Sequence, residues 1–440
     1  MNKSLIKQVI VEQREEIDSI FGREKIIERD LDIVPALAHP NIVFVTGARR
    51  AGKSLLAILS AAKTAYAYIN FDDERLQAGR DDLDAILECF HELHPGFEVM
   101  ILDEIQNVPG WELFVSRMRR TRKVIVTGSN ARLLSQDLST HLAGRHIDFV
   151  LYPFSFQEHL RLRGETVPEH GVFKPARKAE MRREFAEYLQ IGGFPEVHKF
   201  GRSILKSIYD DVLFKDIIVR YKIRKAAAFR DLARILASQY AREFTYARLK
   251  EAARLRDVHT ARKFVDYLLA SHLFFTVERY SAKIRGQILS PRKIYAVDTG
   301  LIQLIAFRTS EDRGWLYENC VAIEILRREH YWGGPKAYIW KGSAGEEVDF
   351  CLKDQTRVRE LIQVCAELGR PGRVGAAGRE FDALVKAGSE LRCDALTILT
   401  DDEDGQEKVA GKTIRVRPIW NWLLDSTRPT EKRGTENRGT

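Results

Sequence analysis

The residues Gly47-Ala48-Arg49-Arg50-Ala51-Gly52-Lys53-Ser54 have the spacing GxxxxGK[ST] and stand between an apolar run and a helical pattern. A loop of that spacing turns its backbone N–H groups onto phosphate oxygens, and the helix behind it adds positive potential. Lys53 can then reach terminal phosphates and Ser54 can ligate Mg²⁺. ATP and Mg²⁺ are therefore the expected ligands of the stretch Gly47 to Leu55. Fifty residues beyond Lys53, the apolar run Val99-Met100-Ile101-Leu102 ends in Asp103 and Glu104. An acid at the carboxyl end of a parallel strand faces the ligand crevice. Asp103 is expected to hold the ion through water, and Glu104 to orient and deprotonate the attacking water. The plainer readings, a chance glycine turn and a charged strand end, lose force because both motifs occur in this order.

Two further residues are candidates. The run KVIVTGSN ends in Thr127, Ser129 and Asn130, of which Asn130 is expected to touch the γ-phosphate or the water. Arg145, in Leu142-Ala143-Gly144-Arg145, is expected to neutralise transition-state charge, within the chain or across a subunit boundary. Arg132 is the second candidate for that role, and a surface arginine or a pairing of Arg145 with Glu158 is the structural alternative. Asn70, Asp72 and Asp73 read as a solvated turn.

The elements that must position these residues follow from the pattern of apolar runs. NIVFVTG, YAYINF, VMILD, VIVTG and IDFVLY are short apolar runs separated by helical patterns over residues 41–152. That alternation implies a parallel sheet covered on both faces. Residues from about 180 to 270 are nearly all helical in pattern, and strand-like alternation returns from about 274 to 300. Beyond Gly314 the order is helix, three strands, helix, strand, a second and smaller α/β unit.

VTGARRAGKSLL, YINFDDERL, ILDEIQNVPGWE, VTGSNARLL, LAGR and YPFSFQEHL, taken together and in order, resemble the AAA+ ATPases widespread in archaea and bacteria. The likeness continues through YLQIGGFPEV, YAVDTGL, WLYENCVAIEIL and WKGSAGEEVDF and covers about residues 20–425. It implies an α/β fold: a P-loop AAA+ domain with a parallel sheet over residues 1–200, in which the strand before Asn130 lies between those carrying the phosphate loop and the Asp-Glu pair. A helical and winged-helix domain over 201–300 would follow, then a small α/β domain similar to PD-(D/E)xK nucleases over 301–425. Residues 426–440 are polar, without apolar anchors, and are expected to be a disordered tail.

Residues 241–293 hold 12 Lys/Arg against 5 Asp/Glu, so nearly all of the chain's net charge of +8 sits there. Within them, Asp257 can cap a helix whose Ala261, Phe264, Val265, Leu268 and Leu269 form a buried stripe. FFTVERY and ILSPRKIYAV can pair as a hairpin tipped by Lys283 and Arg285. A helix showing Arg262 and Lys263 with such a wing is a DNA-binding pattern, and DNA is the expected partner. A helical domain with a solvated basic face is the plainer reading.

In the nuclease-like segment the resemblance assigns metal binding to Glu318 and Asp349. Gln363 stands where an acid is expected and Cys365 where the lysine would be. A neutral thiol does not replace a cationic lysine, so the segment is expected to be inactive, with Lys341 the first substitute to consider. The leading reading is a Mg-ATP hydrolase coupled to a DNA-contacting winged helix. A nucleotide-sensing scaffold with negligible turnover and an ATP-regulated nuclease are its alternatives. A finger acting in trans would require a homo-oligomer.

Other classes are excluded by composition. No stretch approaches the 18 or so apolar residues of a membrane span, so no membrane partner is expected. Lys7 and Gln8 interrupt the N-terminal apolar residues before a signal-peptide core can form. The five cysteines show no CxxC pair, which argues against a disulfide framework or structural zinc and for the cytoplasm. The eleven histidines are dispersed and read as structural or exposed.

Overall fold

The structure is a computed structural model that describes residues 1–129, 142, 144–165, 174–307, 313–366, 368 and 376–425. It falls into two compact units. The first comprises Met1–Thr166, Ala186–Thr276 and Ile294–Thr309; the second comprises Val167–Phe185, Val277–Lys293 and Ser310–Thr440.

The apolar runs of the first unit become β1 (Ile42–Gly47), β2 (Tyr66–Asn70), β3 (Val99–Asp103), β4 (Lys123–Gly128) and β5 (His146–Leu151). All pair in parallel, in the order β2-β3-β4-β1-β5. The strand carrying Thr127 thus lies between the phosphate-loop strand and the Asp-Glu strand, as the resemblance implies. Two helices matter for the site. α1 (Lys3–Arg23) sets Ile6, Val9 and Ile10 into the core beside Phe44, Phe90 and Trp111. α2 (Lys53–Ala61) starts at the loop and packs on β1, β3 and β4. The α1 helix is legible only as the spacing Ile6, Val9, Ile10, Gln13, Ile17, all buried.

Farther on, the helix Ile204–Asp211 widens into a π-helical stretch, Val212–Val219. The motifs YLQIGGFPEV and YAVDTGL meet there in space. Asp298 accepts from Gly193 N–H (2.6 Å) and from Leu301 N–H (2.7 Å), and a Cβ at Gly300 would lie 2.3 Å from the Ile191 carbonyl. Their glycines are therefore explained by close backbone packing.

The basic stretch contains β6 (Arg242–Phe244), helices Tyr246–Ala252 and Val258–Ala270, β7 (Phe274–Arg279) and β8 (Arg292–Ala296). Asp257 caps the second helix through Thr260 N–H at 2.7 Å, and Ala261, Phe264, Val265 and Leu268 are buried as expected. Leu269 is only half-buried. The expected pairing of the two runs holds, since β7 and β8 are neighbours in their sheet, but a short helix, Ile284–Leu289, stands between them in place of a tight turn. Its start and end residues Ile284, Ile288 and Leu289 are exposed.

In the second unit, β9 (Lys336–Lys341), β10 (Glu347–Asp354), β11 (Arg357–Val364), β12 (Leu396–Thr400), β13 (Gly405–Val409) and β14 (Lys412–Pro418) run in the order β13-β14-β12-β11-β10-β9. The β11-β12 and β12-β14 pairs are parallel and the others antiparallel. Helices Arg313–Trp332 and Ala376–Glu390 belong to the same unit. The helix, strand and helix order expected after Gly314 holds, and the β13-β14 hairpin is an addition. The cysteines are all free thiols. Among the described residues no helix is long and apolar enough to cross a membrane. The expected tail at 426–440 lies outside the described residues.

Candidate nucleotide site

The phosphate loop has a backbone that only its own residues permit. Gly47 has φ 143°, and a Cβ there would sit 2.1 Å from the Leu151 carbonyl oxygen, so β5 forbids any side chain. Gly52 has φ 97° and Arg50 φ 63°, both left-handed, at the turn into α2. Lys53 is buried; its ammonium donates to the Gly47 (3.2 Å) and Ala48 (3.1 Å) carbonyls and lies 4.0 Å from Glu104 Oε1.

Sheet register levels the strand ends, because Val45, Thr127, Asp103 and Asn70 are successive partners across β1, β4, β3 and β2. Asp103 consequently meets the loop. Its Oδ2 accepts from Ser54 Oγ (2.5 Å) and Tyr68 OH (2.8 Å), and its Oδ1 accepts from the Thr127 hydroxyl. Burial and the Asp103 charge push the Tyr68 phenol well above its ordinary range, fixing it as a donor. A hydroxyl and a carboxylate are oxygen donors of the kind Mg²⁺ takes, along with phosphates and water. Among the described residues no group of three or more His, Cys, Asp or Glu could hold an ion unaided.

Glu104 adopts φ 52°, ψ 37°, a strained conformation for a residue with a side chain. Its N–H is tied to the Thr127 carbonyl (3.0 Å), which aims the carboxylate back across the strand ends. There it accepts from Ser129 N–H (3.3 Å), the Ser129 hydroxyl (3.4 Å) and Gln106. Burial raises its pKa above the usual glutamate value, against the Lys53 charge and with help from Asp103. A base of raised pKa is better matched to taking a proton near neutrality.

The remaining expectations fare differently. Asn130 and Arg132 lie outside the described residues. Arg145 is exposed, and its carbonyl accepts from Ile42 N–H at 3.0 Å, at the amino end of β1. The loop begins at the other end of that strand, about 17 Å away at 3.3 Å per residue. An in-chain finger is therefore corrected; a surface arginine and a contact across a subunit boundary remain. The alternative pairing is also corrected: Glu158 is buried against Arg29 Nε (2.8 Å) and caps its helix with Ser155. Asp72 is no mere turn residue, because it holds Arg49 at 2.9 Å.

Several residues that hold the loop, among them Arg29, Glu196, Asp211 and Asp216, escaped the sequence reading. Arg29 donates to the Ala51 (2.9 Å) and Tyr152 (2.7 Å) carbonyls and so braces the loop from beneath. Arg49 pairs with Asp216 (3.3 Å), buried in the π-helical stretch; Arg50 pairs with Glu196 (2.5 Å) and Asp211 (3.5 Å). Burial raises the Asp216 pKa, opposed by Arg49, Arg220 and Lys53. Beside Gly52 opens a cavity of about 450 Å³ whose walls include Ile26, Ile27, Leu55, Leu59, Pro195 and His198. Of these, only Leu55 has a sequence signal, its place in the motif.

The strand order and the loop, with Asp103 and Glu104 at its mouth, have a counterpart among known proteins. Residues 39–160 match the family described as AAA domain. The fold is that of a P-loop AAA+ domain. Residues 182–312 match a domain of unknown function, DUF8612. The chain is 29% identical over 442 residues to an uncharacterized protein, MJ1544, of Methanocaldococcus jannaschii, covering 96% of each chain. It is 28% identical over 348 residues to an uncharacterized protein of Haemophilus influenzae, covering 74% of this chain and 83% of the other. Among solved structures, AMPPCP-bound DnaA from Aquifex aeolicus matches at 15% identity and TM-score 0.22, over 54% of this chain and 84% of that one.

Proposed function

We propose that this chain binds Mg-ATP at Gly47–Leu55, hydrolyses it with Glu104, and couples nucleotide state to a DNA-contacting segment within residues 241–293. The carrying observation is the pair at the end of β3. Asp103 is bonded to Ser54, and Glu104 is held by left-handed backbone with its carboxylate beside Lys53. Ser54 and Asp103 would hold Mg²⁺, which would neutralise charge on the phosphates. Lys53 stabilises the terminal phosphates, while Ser129 and Gln106 hold the Glu104 carboxylate that takes the water's proton. The apolar cavity beside Gly52 has the size and walls to take the nucleoside.

Turnover has a built-in consequence for the helices. Arg49 and Arg50 lie within the phosphate loop yet spend their guanidinium groups on Asp216, Asp211 and Glu196. Phosphates compete for those same guanidiniums, so nucleotide occupancy loosens the tie to 196–216 and hydrolysis restores it.

DNA contact is supported by composition and exposure. Arg262 and Lys263 are exposed on a helix of the first unit, and Lys283 and Arg285 are exposed in the second. Lys293 must be removed from the basic count, because it is buried and ion-paired. The test is Glu104→Gln. Mg-ATP should remain bound while turnover falls by about 10²- to 10⁴-fold, the usual contribution of a positioned base. Turnover at the parent rate would make Glu104 structural.

A further inference from the structure

The second unit buries carboxylates at one point. Glu318 comes from the helix Arg313–Trp332, and Glu347 and Asp349 from β10; the pairing of β10 with β9 is irregular between Val348 and Cys351. Glu318 and Asp349 are both 5% exposed. Buried carboxylates without a counter-charge are costly, so a cation is required. A nuclease-like unit would take a divalent ion there, and that family resemblance alone raises the expectation of one.

The cation is already in the chain. Lys293, on β8 and 5% exposed, places its ammonium 2.8 Å from Glu318 Oε1, 2.6 Å from Glu347 Oε1 and 3.2 Å from Asp349 Oδ1. An ammonium has three N–H donors, and three carboxylates stand within bonding reach of them. Two further oxygens are also engaged. Asp349 Oδ2 accepts from Val364 N–H (3.0 Å), and Glu347 Oε2 pairs with Lys341 (3.0 Å). Gln363 spends its carbonyl oxygen on Asp349 N–H (3.1 Å), and its side chain also bonds Glu380, whose carboxyl is pushed up to about 7 by burial and by Asp349. Cys365 stays a thiol, its pKa pushed up to about 12 by burial and neighbouring acids.

We propose that Lys293 is the resident cation of this centre, standing where a divalent ion would be held, and that the unit is therefore metal-independent. Lys341, the first substitute to consider had the segment cut DNA, pairs with Glu347, and Lys293 takes the central place. The family's metal does not fit these residues, since five of the six oxygens of Glu318, Glu347 and Asp349 are spent on Lys293, Lys341 and the Val364 N–H. Among the described residues, no group of three or more His, Cys, Asp or Glu could hold a metal ion. Lys293 thus converts a carboxylate centre into a closed structural joint between β8, β10 and the helix Arg313–Trp332.

The test uses the full chain without nucleotide and Mn²⁺ as the probe, with bound ion read by electron paramagnetic resonance. Wild type should show only weak surface binding, unchanged by Asp349→Asn. Lys293→Met keeps the stem and removes the charge. It should gain Mn²⁺ affinity by about tenfold or more, the scale on which neighbouring groups tune metal sites, and Asp349→Asn in the same chain should remove the gain. Should Lys293→Met not fold, Lys293→Met with Glu318→Gln carries one buried carboxylate fewer and should show the same gain. Mn²⁺ binding by the wild type that Asp349→Asn abolishes overturns the proposal. So does the absence of any gain in both lysine variants. An ATP titration on each sample reports the first unit separately, so failure of the nucleotide reading is not confused with failure here.

Discussion

Lys53 and Lys293 are the same side chain at the same depth, each about 6% exposed, and they end in opposite circumstances. Lys53 donates to two carbonyls of its own loop and keeps Glu104 at 4.0 Å. Its charge is left for an incoming anion. Lys293 faces three carboxylates at 2.6–3.2 Å, and its charge is consumed inside the protein. What distinguishes a binding lysine from a structural one is thus the set of acceptors around the ammonium. Neutral carbonyls can be exchanged for phosphate at small cost, whereas buried carboxylates cannot be left unpaired.

The contrast can be broken at several points. The largest effect is expected from Glu104→Gln in turnover, as above. The raised pKa of Glu104 carries a sign: the base works only when ionised. The acid limb of kcat should therefore lie above the ordinary glutamate value of 4.5 and vanish from the residual activity of the variant. A limb at or below 4.5 would mean that another group is titrating.

Next in size is DNA binding. Replacing Arg262, Lys263, Lys283 and Arg285 with Ala should flatten the dependence of log K on log[salt] by up to about 3.6, if each meets one phosphate. Adding Lys293→Met should change that slope no further, because a buried ion-paired lysine releases no counterion. A slope unmoved by the four-residue change would assign DNA contact elsewhere.

A smaller effect is expected at the tie between loop and helices. Asp216→Asn removes a buried charge that competes with phosphate for Arg49, so ATP should bind about fivefold tighter, at the low end of site-to-site coupling. Hydrogen exchange over 212–219 should also lose its difference between ATP-bound and nucleotide-free protein. Weaker ATP binding in calorimetry would show Asp216 supporting the nucleotide. Arg145→Ala bears on assembly: turnover restored on mixing it with Lys53→Ala chains would place the finger across a subunit boundary.

The sequence exposed whatever was local. The phosphate loop and the Asp103-Glu104 pair were legible because each motif is contiguous and sits on an apolar strand, whereas the strand order around them came only from the family resemblance. Asp257, a cap read from the sequence, bonds Thr260 as expected. Long-range pairings were hidden. Nothing near Asp216 or Arg29 in sequence announces that they hold the loop, since their partners lie 167 and 22 residues away. The charge count over 241–293 included Lys293 because counting does not see burial. The in-chain half of the Arg145 reading failed for a related reason: its neighbourhood in sequence resembles a finger motif, but Arg145 itself stands beside Ile42 at the amino end of β1.

The most direct test of the central claim is titration of Mg-ATP, by calorimetry, into wild type, Lys53→Ala and Lys293→Met. Lys53→Ala should weaken binding by roughly a hundredfold, the scale for truncating a charge that pairs in a buried site. Lys293→Met should leave the affinity unchanged. Equal affinity in wild type and Lys53→Ala would contradict the nucleotide site itself.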